Sequence, residues 1–176
     1  MKVKNVHERT VQTSAAQASE LFESLGTRKD RLWPKDRWPA MRLDAPKEER
    51  GRGGHGPVRY QVLEHRPGER TTFVFENARL SRGIEGVHYF ELEQKDASTF
   101  TARHVIDAEL HWPAVLLWPL FIRPLHDALV EDALDNFERA ATRDLRQPNK
   151  YDGYVRLLRR VLGLPQARTI ASSQVP

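Results

Sequence analysis

Three histidines, His88, His104 and His126, are the residues of this chain best placed to do chemistry. His88 and His104 sit in two runs, GIEGVHYFELEQ and STFTARHVIDAEL, that alternate with period two, and each shares its parity with apolar positions such as Phe90, Leu92, Phe100 and Ala102. His126 falls at the centre of the apolar arc of a long amphipathic stretch. Two independent periodicities therefore direct all three imidazoles inward. Grouped imidazoles can orient a polar head group, act as acid and base, or ligate a metal ion. Taken singly, each also has a plainer reading as a core histidine satisfied by a backbone or tyrosine partner. The chain has no cysteine and no close-spaced H-E-x-x-H pair, so thiolate nucleophiles, disulfides and Cys-based zinc sites are excluded, and no metal or cofactor is assigned.

The elements that must position these residues follow from the same patterns. Residues 3 to 13 alternate loosely and suit a strand. Thr13 or Ser14 then caps a helix carrying Ala15, Ala18, Leu21, Phe22 and Leu25, which Gly26 ends. The proline-rich, charged stretch TRKDRLWPKDRWPAMRLDAPKEER predicts a short second helix and a poor strand, with Trp33, Trp38 and Met41 turned inward. GPVRYQVLEH and RTTFVFEN flank the turn Arg66-Pro67-Gly68-Glu69. Pairing His65 with Arg70 sets Val62 opposite Phe73 and Tyr60 opposite Phe75, an aromatic face. In the second hairpin, Leu92 opposite Phe100 would set Phe90 against Ala102 and His88 against His104, with Tyr89, Glu91, Arg103 and Asp107 on the other face. A long helix follows, with Ile122, Leu125, Leu129, Val130, Ala133, Leu134 and Phe137 on one arc and Asp127, Glu131, Asp135 and Glu138 on the other.

The most apolar stretch, WPAVLLWPLFIRPL (112–125), is shorter than the roughly 20 residues that a membrane-spanning helix needs. Its prolines predict a non-helical descent over 112–119, with Pro119 or Pro124 in the first turn of the long helix. Gly51, Gly53, Gly54 and Gly56 lead into a strand rather than a helix, which argues against a phosphate loop and for tight backbone packing. The chain of 176 residues carries 28 Lys and Arg against 24 Asp and Glu, a mild excess with no aromatic-interleaved basic stripe, so no nucleic-acid partner is expected. MKVKNVHERTVQTS lacks the apolar core of a signal peptide, and the expected location is cytoplasmic.

The order of strand, helix, irregular short helix, antiparallel strands and long carboxy-terminal helix, together with RLWPK at 31–35 and GRGGHGPVRY at 51–60, resembles the START-related SRPBCC superfamily. That superfamily includes the birch-pollen allergens and bacterial polyketide cyclases. The resemblance covers residues 3 to about 144 and implies an α+β helix-grip fold: a curved antiparallel sheet around a long carboxy-terminal helix, two short helices after the first strand, and a cavity for apolar molecules. Pro148-Asn149 breaks the chain, which divides into a ligand-binding domain (1–147), a short basic amphipathic helix (148–163) and a flexible tail (164–176), the last two departing from the family pattern.

The first expectation is therefore binding or transport of a small hydrophobic or amphipathic molecule, of lipid, sterol-like or polyketide-like type. Its contacts would come from Tyr60, Phe73, Phe75, His88, Phe90, His104, His126, Leu129 and Ala133. The alternative is a polyketide cyclase or aromatase type of enzyme with His88, His104 and His126 as candidate acid and base groups. A second alternative is a regulatory module acting through the tail. Trp112, Leu116, Leu117 and Trp118 would lie near the cavity mouth, and an exposed apolar patch there would mark a homodimer contact or a lipid port. Tyr154–Leu162 docks on its own domain or on a second subunit, or touches an anionic membrane surface.

Overall fold

The structure, a computed structural model, describes residues 1–45 and 50–165. The greater part of the expected tail, residues 166–176, lies outside the described residues. β1 (Lys2–Gln12) is followed by α1 (Ala15–Ser24), then β2 (Arg42–Leu43), β3 (Arg52–His55), β4 (Val58–Arg66), β5 (Arg70–Phe75), β6 (Ile84–Gln94) and β7 (Thr99–Leu110). The seven strands form one antiparallel sheet in the order β1-β7-β6-β5-β4-β3-β2. A long helix then runs from Ala114 to Thr142 across it, as α2 (Ala114–Leu117), a wider turn (Trp118–Ile122) and α3 (Arg123–Thr142), before α4 (Gly153–Val161). Among the described residues, no helix is long and apolar enough to cross a membrane.

Ser14 caps α1, its hydroxyl accepting from the Gln17 N–H at 3.2 Å. The second short helix shrinks to a single turn, in which the Trp38 N–H meets the Pro34 carbonyl at 2.9 Å. Pro34 and Pro39 bracket that turn and lack the N–H groups that propagation requires. Trp33, Trp38 and Met41 nevertheless turn inward and are buried. Glycine serves close packing: a Cβ at Gly53 would come within 2.0 Å of the Arg42 carbonyl oxygen on β2, so β2 can pair there only against a bare backbone.

In the first hairpin Val62 faces Phe73 and Tyr60 faces Phe75, as alternation predicts. A bulge between Val62 and Glu64 moves the turn-proximal pair, so that His65 faces Thr71 and not Arg70. In the second hairpin the parity holds and the register does not. Leu92 faces Ala102, Phe90 faces His104 and His88 faces Ile106, a slip of two residues from the expected pairing. The turn sits one residue later than supposed, over 96–98, with the Lys95 N–H on the Thr99 carbonyl at 2.8 Å, and a slip of two leaves every side chain on its face.

The expected non-helical descent is replaced by helix from Ala114, so Pro119 and Pro124 both lie inside the long helix. It tolerates them by widening: the Arg123 N–H bonds the Trp118 carbonyl five residues back. Pro124 cannot bond the Leu120 carbonyl, and the Tyr154 hydroxyl of α4 donates to that oxygen instead, at 2.7 Å.

The acidic arc of α3 is not a solvated face. Asp135 and Glu138 are buried against β1, where Arg9 pairs with Glu131 and Asp135, each at 3.1 Å, and with Glu138. His7 is held between Asp127 (3.1 Å) and Glu131 (2.7 Å). Burial opposes a charge on His7, but the hydrogen bonds and negative charges of these carboxylates outweigh it, and its pKa is raised to about 9.

Candidate functional site

The apolar interior divides into two clusters. The larger is built on α1, Trp33, Trp38 and the middle of α3, and the smaller on Ile84, Ile106, Leu110, Ala114 and Trp118. Between them lies a cavity of about 530 Å³, walled by both clusters and by four histidines from four elements: His55 (β3), His88 (β6), His104 (β7) and His126 (α3). The remaining wall is aromatic or aliphatic, with a few glycine and proline positions; among the described residues no lysine, arginine, aspartate or glutamate lines it. Gly56, Pro57, Phe121 and Leu162 both line the cavity and are exposed, which marks its mouth.

Aromatic packing and one mutual hydrogen bond hold the imidazoles. His88 stacks on Phe73 (ring centroids 4.9 Å apart, 17° between planes) and meets the edge of Tyr60 at 4.7 Å. His104 Nε2 lies 3.4 Å from His88 Nδ1. Burial pushes both pKa values well below the ordinary histidine value, and the neighbouring histidines add to the effect, so both rings are neutral near pH 7. Two neutral imidazoles joined by one hydrogen bond leave one free donor and one free acceptor, whichever ring gives the shared proton. Those free nitrogens, His88 Nε2 and His104 Nδ1, are buried without a protein partner. Across the sheet, His55 Nδ1 lies 3.2 Å from the Tyr60 hydroxyl, and burial, with the charges of His126 and Arg59, lowers its pKa to about 3.

On the helix side, His126 Nδ1 lies 3.5 Å from Asp127 Oδ1, and its Nε2 is also buried without a partner. Burial lowers its pKa although Asp127 opposes the shift. Asp127 itself is held well below the carboxylate range, because hydrogen bonds and charges from His126 and His7 outweigh its own burial. His7, His126 and Asp127 each offer one ligand atom within 4.8 Å of the others, the one grouping among the described residues that could hold a metal ion. Both ring nitrogens of His7 are already engaged by carboxylates, however, which fits a protonated imidazolium in an ion-pair network.

No protein-family model matches the chain, and no curated protein sequence does. Solved structures match over most of its length. A solution structure from Thermobifida fusca superposes with a TM-score of 0.58 at 12% identity, covering 85% of this chain and 99% of that one. Norcoclaurine synthase from Thalictrum flavum, in complex with dopamine and hydroxybenzaldehyde, superposes with a TM-score of 0.55 at 12% identity, over 76% of this chain and 85% of its own. CalU16 from Micromonospora echinospora gives 0.54 at 12%, over 92% and 84%. With the seven-stranded antiparallel sheet closed on the Ala114–Thr142 helix, the architecture is decided. The chain has the helix-grip fold.

Within this helix grip, Phe75, His88, Phe90, His104, His126 and Leu129 line the cavity. Tyr60, Phe73 and Ala133 do not: they share the inner parity or helix phase, but Tyr60 and Phe73 pack behind the His88 ring and Ala133 is buried in the core. Leu117 and Trp118 join the wall, whereas Trp112 and Leu116 face solvent. Asn136 ties α3 to the Leu32 carbonyl at 3.1 Å and is not part of the wall. Sequence reasoning missed His55, which sits in the glycine-rich run before β4. It also missed His7, although Asn5, His7 and Arg9 share the parity of Val3 and Val11. That polar series within a strand of inward valines was the available signal.

Proposed function

We propose that this protein binds an uncharged, mostly apolar molecule carrying one or two hydrogen-bonding groups, held in the helix-grip cavity and oriented by its imidazoles. The observation that carries this reading is a wall that, among the described residues, has no lysine, arginine, aspartate or glutamate and whose polar groups are four histidines with lowered pKa values. A volume of about 530 Å³ suits a lipid-, sterol- or polyketide-sized guest. A carboxylate or phosphate buried there would meet no fixed cation and would have to protonate an imidazole or lose hydration uncompensated. A hydroxyl or ketone can take the donor and acceptor that the His88–His104 pair leaves open. The complex of norcoclaurine synthase with dopamine and hydroxybenzaldehyde supports the use of this fold for small organic guests.

The test is competition against Nile red, an uncharged solvatochromic dye. Hexadecanol is expected to displace it at a concentration about tenfold lower than palmitate near pH 7, a difference of about 1.4 kcal/mol. Palmitate competing as well as the alcohol would overturn the reading.

One observation favours a second reading, that of an acid–base enzyme on a carbonyl substrate of polyketide type. His126 has a carboxylate at Nδ1 and an unpartnered Nε2, the arrangement of a general base held in one tautomer. In that reading the Nε2 takes a proton from carbon alpha to a carbonyl and the electron pair moves to the carbonyl oxygen. A long-chain methyl ketone in D2O would then gain alpha deuterium faster with the protein than with its His126→Ala variant. Equal rates would remove this reading and leave the binding one intact.

A further inference from the structure

The mouth of the cavity opens within an exposed apolar surface built from two segments far apart in sequence. The first is the start of the long helix with its preceding residues, where Trp112 is 73% exposed and Leu116, Leu120 and Phe121 are also exposed. The second is α4, where Val161 is 74% exposed and Tyr154, Leu157 and Leu162 accompany it. The Tyr154 hydroxyl bond to the Leu120 carbonyl joins the two. Monomeric soluble proteins seldom leave so many large apolar side chains together in water.

α4 is anchored, not loose. Val155, Leu158 and Arg159 are buried beneath it, and the Arg159 guanidinium lies 4.1 Å over Trp38 and 4.5 Å over Tyr151. At about 100° per residue, Tyr154, Leu157 and Val161 form a strip beside this buried face, while Arg156 and Arg160 form a basic flank on the side away from it. Residues 112–126 and 153–165 contain no acidic residue, and Arg156 and Arg160 are exposed; exposed Arg123 pairs with Asp127 at 3.5 Å, and exposed Asp152 caps the start of α4. On the far side, the turn at 79–83 abuts Trp112, since a Cβ at Gly83 would lie 2.9 Å from the Trp112 carbonyl oxygen; it adds exposed Arg79 and Arg82. Glu85, just beyond, lies 3.4 Å from His111.

We infer that this surface docks on an anionic lipid membrane, with Trp112, Leu116, Leu120, Leu157 and Val161 entering the interface and the arginines resting against the headgroups. Charge complementarity selects this occupant: an apolar centre with a rim of arginines matches acidic headgroups above acyl chains, whereas a second copy would bring arginine rims together. Docking sets Phe121 and Leu162, which belong to both the patch and the cavity wall, against the bilayer. A guest can then pass between bilayer and cavity without crossing water.

The test uses the full chain with vesicles of phosphatidylcholine alone and of phosphatidylcholine mixed with phosphatidylglycerol. The protein is expected to pellet with the mixed vesicles, less so as salt is added, and not with phosphatidylcholine alone. Trp33, Trp38 and Trp118 are buried, so a blue shift on docking reports Trp112 and is expected to vanish in Trp112→Phe. Removing two rim charges in Arg156→Gln/Arg160→Gln should weaken partition about thirtyfold. Leu157→Gln/Val161→Gln should abolish it while leaving Nile red binding in vesicle-free solution unchanged, which separates failure of docking from failure of the cavity reading. Absence of pelleting with mixed vesicles overturns the inference. So do unaltered pelleting of both double variants and a light-scattering dimer that Leu157→Gln/Val161→Gln converts to monomer.

Discussion

Acidification from about pH 7 to about pH 5 is expected to destabilise this protein strongly, because buried neutral imidazoles must take up protons that the unfolded chain binds readily. Burial lowers His55 to about 3 and holds His88 and His104 well below the ordinary value of 6.5. For a group whose folded pKa is depressed and which is neutral when deprotonated, the unfolded state binds more protons as pH falls through 6.5, so stability declines from there downward. His55, held at about 3, costs about 2 kcal/mol by pH 5, and His88 and His104 add losses of the same sign. His126, also lowered, acts in the same direction.

His7 has the opposite sign. With its pKa raised to about 9, its contribution is fully present below 6.5 and is lost as pH rises through about 9. Between pH 7 and pH 5 it restores only about 1 kcal/mol, less than His55 alone loses, so the net change is a loss that His88, His104 and His126 deepen. Urea midpoints followed by far-UV circular dichroism should fall steeply over this range, and His88→Phe/His104→Phe should flatten the slope. A midpoint independent of pH between 5 and 7 would contradict the neutral, buried state of the cavity imidazoles. The same titration gives the cavity a consequence beyond stability, since a filled cavity raises the midpoint and a neutral guest is released on acid unfolding.

Asp132→Ala is expected to cost about 3 to 5 kcal/mol, the other large effect, because it strips the partner from several buried donors at once. Asp132 is fully buried on α3. It accepts from the Arg37 guanidinium at 2.9 Å, the Trp38 indole N–H at 2.7 Å, the Asn149 amide at 3.1 Å and the Tyr151 hydroxyl. One carboxylate thus fastens the 34–41 turn and the segment after α3 to the long helix. Burial, reinforced by the bond to Asp132, raises the Tyr151 hydroxyl to about 12, so it remains a donor throughout the physiological range. Tyr151→Phe, which removes a single donor, should cost only about 1 kcal/mol. Because Trp38 and Trp33 belong to the cavity wall, Asp132→Ala should also weaken Nile red binding, whereas Tyr151→Phe should leave it nearly intact. A stability within about 1 kcal/mol of the parent protein in Asp132→Ala would show that water replaces these contacts freely.

Asp132 also marks the limit of what pattern can reveal. Helical phase separates apolar from acidic positions on α3, but phase alone cannot say that Asp132 meets Trp38 and Tyr151, or that Asp135 and Glu138 are buried under Arg9 of β1. Those partners lie roughly a hundred residues away, or beyond the helix in the segment that folds back on it. The prolines misled for a related reason. Pro119 and Pro124 read as helix breakers, and they are accommodated because the helix widens by one residue and Tyr154 supplies the missing donor to Leu120.

What the amino-acid sequence determined by itself was the facing of side chains: the strand parity of His88 and His104 and the helical phase of His126. Both are local periodicities written by backbone geometry, and both survived a two-residue slip in the β6–β7 register and a helix that begins earlier than expected. Only the tertiary structure decided which inward side chains share a space. It brought His55 into the cavity wall and His7 to Asp127 beside His126, withdrew Tyr60, Phe73 and Ala133 into the core, and placed Trp112 and Leu116 in solvent. Facing depends on two dihedral angles per residue, whereas adjacency depends on register, bulges and the docking of α4, each settled by packing contacts between distant parts of the chain.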